Sequence, residues 1–373
     1  MEPENEYSET HKNRRKISVL TSHYIPNYGS VLQAYATQIF WEELEYEVEF
    51  INYMRANIRN KGTVNPKWNT NKIRIFIYVL YRKIDSYKKG RVFSGFIKKH
   101  LRLSKPYKNK EDLLQEPPKA DLYCVGSDQV WNSEYNGGVL PETFLDFAPA
   151  GSKKISFSSS MGMIDYSEKE KQQMKRFLKD FCFISVREKD ALDILSNMGF
   201  GDVQLLLDPT LLISAERWQR EISHRMQKKR YVCIYQLNEN PGLIDLARKL
   251  AKEDNLQIIR ITYYMMQRVD KVHCIYCPTV SEFLSLLYHA EYVVTDSFHG
   301  TAFSINFNKR FYAFNPPKYS GRIKWLLEKF KLNHRLIEEN YELNYCDTID
   351  YDSVNELLEK ERADTKLMMK MLC

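Results

Sequence analysis

The chain has 373 residues, 43% of them hydrophobic and 28% charged, with a formal net charge of +7. This length accommodates two domains with separate cores, and the apolar share excludes wholesale disorder. No run approaches the roughly 20 apolar residues of a membrane span, and the polar stretch 1–16 has no signal-peptide apolar region, so it reads as a disordered lead.

Residues 16–21 read as the first strand, followed by a loop through Tyr28. Ser30 is the expected cap of a helix running to about Leu44, with Val31, Leu32, Tyr35, Ile39 and Phe40 on its apolar face. Residues 47–53 form the second strand. A basic helical insertion then covers about 55–115. Between Lys72 and Lys110 it holds thirteen Lys or Arg against one acid, Asp85, with Tyr78, Tyr81, Tyr87, Phe93, Phe96 and Tyr107 interleaved. Three readings fit that stretch: a solvated amphipathic face, contact with an anionic membrane surface, or contact with a nucleic-acid backbone.

Strands at 121–125 and 154–157 follow, then a charged helix at 167–180, a strand at 181–186, a helix at 190–198 and a strand at 203–207. Repeated strand–helix order implies a parallel sheet with right-handed crossovers. Residues 213–230 have no strand pattern and suit an interdomain connection. The alternation then restarts, with a strand at 231–235, a helix at 241–254 and a strand at 257–261. Thr279 and Glu282 form a capping box for a helix to His289. A strand at 292–294, a short helix at 302–307 and a strand at 311–314 come next. A last helix, about 351–372, is expected to pack back on the first domain.

The seven cysteines, at 124, 182, 233, 274, 277, 346 and 373, are scattered and odd in number, which is cytosolic usage rather than a disulfide framework. Cys124, Cys182 and Cys233 lie in apolar runs and read as small hydrophobes. Cys274 and Cys277 have C-x-x-C spacing without a second pair to complete a zinc site, so no metal is expected. No dinucleotide fingerprint, Walker A loop, nucleophile elbow or His-Glu-x-x-His occurs.

Polar turns concentrate at the carboxyl ends of the expected strands, where ligands of open α/β sheets collect. Asn27-Tyr28-Gly29-Ser30 with Gln33 follows the first, and Gly126-Ser127-Asp128-Gln129-Val130-Trp131-Asn132 follows the strand at 121–125. Ser158-Ser159-Ser160-Met161-Gly162, Arg187-Glu188 and Asp208-Pro209-Thr210 close three more. Thr295-Asp296-Ser297-Phe298-His299-Gly300 lies between a strand and a helix, where the amides of Gly300 and Thr301 are expected to receive an anion. Any one of these turns suits a cap. Together they point to a polar cleft between two parallel sheets.

In that order, and ending near Ser320-Gly321-Arg322-Ile323, the motifs resemble the polysaccharide pyruvyl transferase family over about 17–335. The resemblance implies an α/β fold of two Rossmann-like domains facing across a cleft, GT-B-like. These are an acceptor-side domain at 17–213, a donor-side domain at 214–345 and a C-terminal helix within 346–373. It implies transfer of pyruvate from phosphoenolpyruvate, as co-substrate and with no other cofactor, to a sugar of a cell-surface glycan as a ketal. The partners implied are phosphoenolpyruvate and a lipid-linked or nucleotide-linked sugar. No nucleic-acid partner is expected, and the expected location is the cytoplasm, with peripheral contact at the inner face of the cell membrane through residues 72–110.

His299 is the candidate acid/base, since imidazoles change charge near neutrality. Asp296 is expected to orient it or cap its helix, and Asp128 to act as base or hold sugar hydroxyls. Arg187 and Arg322, with Ser297, Gly300 and Thr301, are the donor-binding candidates. Asn27, Gly29, Ser30, Gln33, Ser127, Gln129, Trp131 and Asn132 are the acceptor-side candidates. Many members carry Arg-Leu where this chain has Ser297-Phe298, and the Asp-Ser-Phe-His form resembles a subgroup. Two other functions fit the same residues. One is a GT-B glycosyltransferase using a nucleotide sugar; the other is a non-catalytic glycan-binding member of an envelope-synthesis complex.

Overall fold

A computed structural model describes residues 14–54, 72–224, 226–263, 272–338 and 348–372. Most of the expected lead, the insertion's start at 55–71, and Cys346 and Cys373 lie outside the described residues.

Apolar strands buried on both faces set the architecture, as parallel sheets require. The first half contains β1 (Lys16–Leu20), α1 (Tyr28–Glu42), β2 (Glu47–Phe50), α2 (Lys72–His100), α3 (Lys110–Gln115), β3 (Leu122–Val125), α4 (Ser133–Asn136) and β4 (Lys153–Ser156). It continues through α5 (Glu168–Leu178), β5 (Ser185–Val186), α6 (Lys189–Asn197) and β6 (Gln204–Leu205). The strands order as β2-β1-β3-β4, all parallel. The β5–β6 pair attaches to β4 through bridges at Ile155–Phe183 and Ser159–Val186.

Two short helices, α7 (Pro209–Leu212) and α8 (Ala215–Gln219), lead into the second half. There follow β7 (Tyr231–Tyr235), α9 (Pro241–Glu253), β8 (Gln257–Thr262), β9 (His273–Tyr276), α10 (Val280–Tyr288), β10 (Tyr292–Thr295), α11 (Phe298–Asn306), β11 (Arg310–Phe314), α12 (Gly321–Lys329), β12 (Leu336–Ile337) and α13 (Tyr351–Met371). Its six parallel strands order as β12-β11-β10-β7-β8-β9.

Several local expectations need correction. Asn27 caps α1, with its Oδ1 accepting from the Gly29 amide at 2.8 Å, so the helix starts two residues before Ser30. Asn27 is extended and an Asn oxygen reaches the second amide readily. The strands expected at 181–186 and 203–207 shorten to two residues each, and Cys182 is exposed. β9 went unseen because its residues are only partly buried and lack strict alternation. Cys274 lies within that edge strand.

One apolar cluster joins both sheets through the helices between them. It runs from Val31 and Leu32 on α1 through Leu211, Leu212 and Trp218 to Phe303 on α11, and on to Leu358 and Met369 on α13. Arg362 on α13 donates from Nε to the Leu211 carbonyl at 2.8 Å, and from Nη2 to the Ile213 carbonyl and Asn306 Oδ1, each at 3.0 Å. Lys366 reaches Glu43, just past α1, at 2.6 Å. The last helix therefore touches both halves.

Candidate functional site

In each sheet the strand order reverses once, between β1 and β3 and between β7 and β10. A crevice opens at such reversals, beyond the carboxyl ends of the strands. Here the two crevices face each other and merge into one cavity of about 710 Å³. The loop after β1 supplies Ser22, Ile25 and Asn27, and that after β3 supplies Asp128 and Gln129. Opposite them stand Leu237 and Asn238 after β7, and Asp296 to His299 after β10. The 316–319 loop and Arg322 close the side.

The approach of the halves depends on one glycine. A Cβ on Gly29 would lie 2.1 Å from His299 Nδ1, so any side chain at the start of α1 would displace the imidazole. The other face of that ring looks into a buried network. His299 Nε2 lies 3.7 Å from Asp208 Oδ2, beyond hydrogen-bond reach, and has no hydrogen-bond partner among the described residues. Asp208 Oδ2 accepts from Arg187 Nη1 at 2.5 Å and from Ser127 Oγ at 2.9 Å. Its Oδ1 accepts from the Thr210 amide at 2.9 Å and hydroxyl at 2.7 Å. Burial alone would push the Asp208 carboxyl up, but Arg187, His299 and Thr210 outweigh it and hold the group well below the carboxylate range.

Arg187 is fully buried. Burial works against its charge, yet Asp208, Glu188 at 3.8 Å and Asp128 at 3.9 Å raise its pKa. Its guanidinium also lies over the Phe298 ring at 4.8 Å. Arg322 is the opposite case. Burial and then the neighbouring Arg187 charge lower its pKa, against weaker support from Glu188 and Asp128. Its Nε has no hydrogen-bond partner among the described residues. With the Gln129 amide oxygen turned toward it, Nη1 and Nη2 donate at 3.1 and 3.2 Å to a neutral acceptor. A cation in want of counter-charge thus lines the cavity beside His299.

A strap crosses the opening. Lys318 Nζ donates to Glu134 Oε1 at 2.5 Å, and the Tyr319 hydroxyl donates to Glu134 Oε2 at 2.7 Å. Tyr319 has φ of 62° and meets Tyr135 edge-on at 5.5 Å. Lys318, Tyr319 and Arg322 also line a second cavity of about 440 Å³ with Gly162, Glu188 and Asp190.

A family model described as polysaccharide pyruvyl transferase matches residues 27–318. The chain belongs to the polysaccharide pyruvyl transferase family. No curated protein matches it. Among solved structures, UDP-N-acetylglucosamine 2-epimerase from Rickettsia bellii aligns with TM-score 0.50 at 12% identity, over 96% of this chain and 98% of that one. UDP-GlcNAc 2-epimerase from Methanocaldococcus jannaschii aligns with TM-score 0.49 at 10% identity, over 92% of both chains. The first of these likenesses concerns the fold alone, which is GT-B-like with two Rossmann-like domains.

In this member of the pyruvyl transferase family, the cavity gathers Asn27, Ser30, Asp128, Gln129, Asp296, Ser297, His299 and Arg322. Other candidates lie elsewhere. Trp131 is buried, stacks on Phe144 at 5.4 Å and donates to the Thr143 carbonyl, so it is a core residue and no sugar platform. Gln33 is buried and donates to Thr21 Oγ1 and the Ser30 carbonyl. Ser127 supports Asp208 and Arg187, and Asn132 caps α4. Arg187 supports the network behind the cavity without lining it.

Asp296 neither orients His299 nor caps α11. Ser297 is the cap, and Asp296 accepts from the Leu237 amide at 2.7 Å, the Asn238 amide at 2.8 Å and Asn238 Nδ2 at 3.0 Å. The Gly300 and Thr301 amides, expected to be open to an anion, are taken by the Ser297 hydroxyl and carbonyl. The serine run 158–160 is buried and ties strands together, Ser158 to the Leu207 carbonyl and Ser160 to Glu188. Sequence reasoning missed Tyr135, Asn238, Lys318 and Tyr319. The adjacent Pro316 and Pro317 signal a rigid loop before Arg322.

Proposed function

We propose that the protein transfers the pyruvyl group of phosphoenolpyruvate to two hydroxyls of one sugar in a cell-surface polysaccharide or its lipid-linked precursor, at the inner face of the membrane. Arg322 carries this reading. Its Nε has no hydrogen-bond partner among the described residues and its Nη atoms meet a neutral amide oxygen, so a donor bearing both a carboxylate and a phosphate supplies the counter-charge it lacks.

In the transfer the enol carbon gains a proton and becomes a methyl group. Two sugar oxygens bond to the carbon that carried the enol phosphate, the bond from that carbon to the phosphate-bearing oxygen breaks, and phosphate leaves. Of the two hydroxyl protons, one is accounted for by the new methyl group and the other by the departing phosphate. His299 is the group that moves protons. Asp128, whose Oδ2 accepts from Ser30 Oγ at 2.7 Å, takes the acceptor hydroxyl proton. Arg322 and Lys318 hold the donor, while Arg187 acts through Asp208 as a positioning residue. Ser297, standing where many members carry Arg, leaves the donor's fixed charge to Arg322, in keeping with the Asp-Ser-Phe-His subgroup.

The test is incubation of purified protein with labelled phosphoenolpyruvate and lipid-linked sugar intermediates, following phosphate release and the acceptor's gain of a pyruvyl group. Arg322→Gln is expected to raise the KM for phosphoenolpyruvate about tenfold or more, with a smaller effect on kcat. Absence of phosphate release with every acceptor, together with a rise in Tm on adding a nucleotide sugar, overturns the reading in favour of a glycosyltransferase.

A further inference from the structure

Helix α2 docks by one face, and among the described residues nothing covers the other. On the docked face Phe93 meets Tyr28 edge-on at 5.0 Å. Asp85 accepts from the Tyr276 hydroxyl at 2.6 Å, and Lys88 Nζ donates to the Tyr276 carbonyl at 2.6 Å. The contacts reach α1 in one half and β9 in the other.

The outer face is apolar in its first turns. Phe76, Leu80, Ile84 and Tyr87, at i, i+4, i+8 and i+11, form one stripe, and they are 69%, 49%, 47% and 73% exposed. Ile77 and Val79 flank it and are also exposed. Further along the same stripe stand Arg91 and Lys98, both exposed, with Lys83 beside it. The helix's single acid, Asp85, is buried on the opposite face against Lys89 at 2.8 Å.

We propose that α2 seats the protein on an anionic lipid bilayer, with Phe76, Leu80, Ile84 and Tyr87 entering the interface and Arg91 and Lys98 engaging headgroup phosphates. Apolar side chains beside unopposed cations match a surface with hydrocarbon beneath a plane of negative charge. A nucleic-acid backbone offers nothing to the apolar stripe, and a second copy would bring the same excess of cations. The seat is close to the cavity. Lys89 lies over the Tyr263 ring at 3.8 Å, and the Tyr263 hydroxyl donates to the Pro26 carbonyl, next to cavity-lining Asn27. This inference is independent of the proposed reaction, because its readout is binding.

The experiment is co-sedimentation of the full chain with vesicles of phosphatidylcholine, alone or mixed with phosphatidylglycerol. Binding is expected to the mixed vesicles and to weaken as salt rises. Two variants, Phe76→Ser/Leu80→Ser/Tyr87→Ser and Arg91→Glu/Lys98→Glu, should each weaken it about tenfold or more while leaving Tm unchanged. Failure to bind the mixed vesicles overturns the proposal, as does equal binding by folded variants. It is overturned too by a dimer in sedimentation velocity that the triple substitution dissolves while vesicle binding stays absent.

Discussion

His23 and Asp208 are both buried, and both make the fold sensitive to acid, over separate pH ranges. His23 sits just beyond β1, edge-on to Phe50 at 5.9 Å. Burial pushes its pKa down to about 4, against a smaller upward pull from the Thr21 backbone. The folded value is below the unfolded one, so the neutral form belongs to the fold. Its contribution is full above about pH 6.5 and is lost as pH falls toward about 4, which amounts to about 3 kcal/mol. Urea unfolding at intervals between those limits should show this decline in the wild type and a much flatter profile in His23→Gln. Parallel profiles would show that other groups set the slope. The Asp208 carboxyl is also held low, so its contribution is present above the unfolded carboxylate value and drains away below about pH 4. Stability should accordingly fall over two successive pH ranges, the first set by His23 and the second by Asp208.

Among elements, the two loops beside the β7–β10 reversal are joined by Asp296. Replacing it with Ala removes three hydrogen bonds to a carboxylate and should cost about 2 to 3 kcal/mol, with Asp296→Asn keeping part of that. An unchanged urea midpoint for Asp296→Ala would mean that the tie contributes nothing. What the sequence displayed at this scale follows from range. Tyr231–Tyr235 and Tyr292–Thr295 are continuous apolar runs, and the Thr279–Glu282 box acts within one turn, so all were legible. Trp131 was misread because a tryptophan among polar neighbours looks like a sugar platform. Only the fold brings Phe144 and the Thr143 carbonyl to it. The Asp296 role was hidden for the same reason, since its partners are 58 and 59 residues away.

For the whole molecule, the shared cluster of apolar residues means that neither sheet is insulated from the other. Arg362 fastens that arrangement, and Arg362→Met leaves the Leu211 and Ile213 carbonyls and Asn306 Oδ1 without this donor. The loss should be about 3 kcal/mol. Calorimetry should find one endotherm in the wild type and a broadened or split one in the variant; an unchanged single endotherm at the original Tm would refute the fastening. The strap was the least legible part of the site, because Lys318 and Tyr319 meet Glu134 across 184 and 185 residues. The family motifs, in contrast, were visible in chain order. Each lies at a strand end, where local pattern is strongest, although only some of them reach the cavity.

The contact of Gly29 with His299 bears on recombination. The bare Cα belongs to one Rossmann-like unit and the imidazole to the other, 270 positions later in the chain. Neither half contains the site by itself, and a chimera assembled from two parents inherits a working cleft only when these two positions come from compatible parents. A first half lacking the glycine would fold and still expel the histidine of the second. Exchange of acceptor specificity between such proteins is therefore better attempted by grafting loops than by swapping whole units.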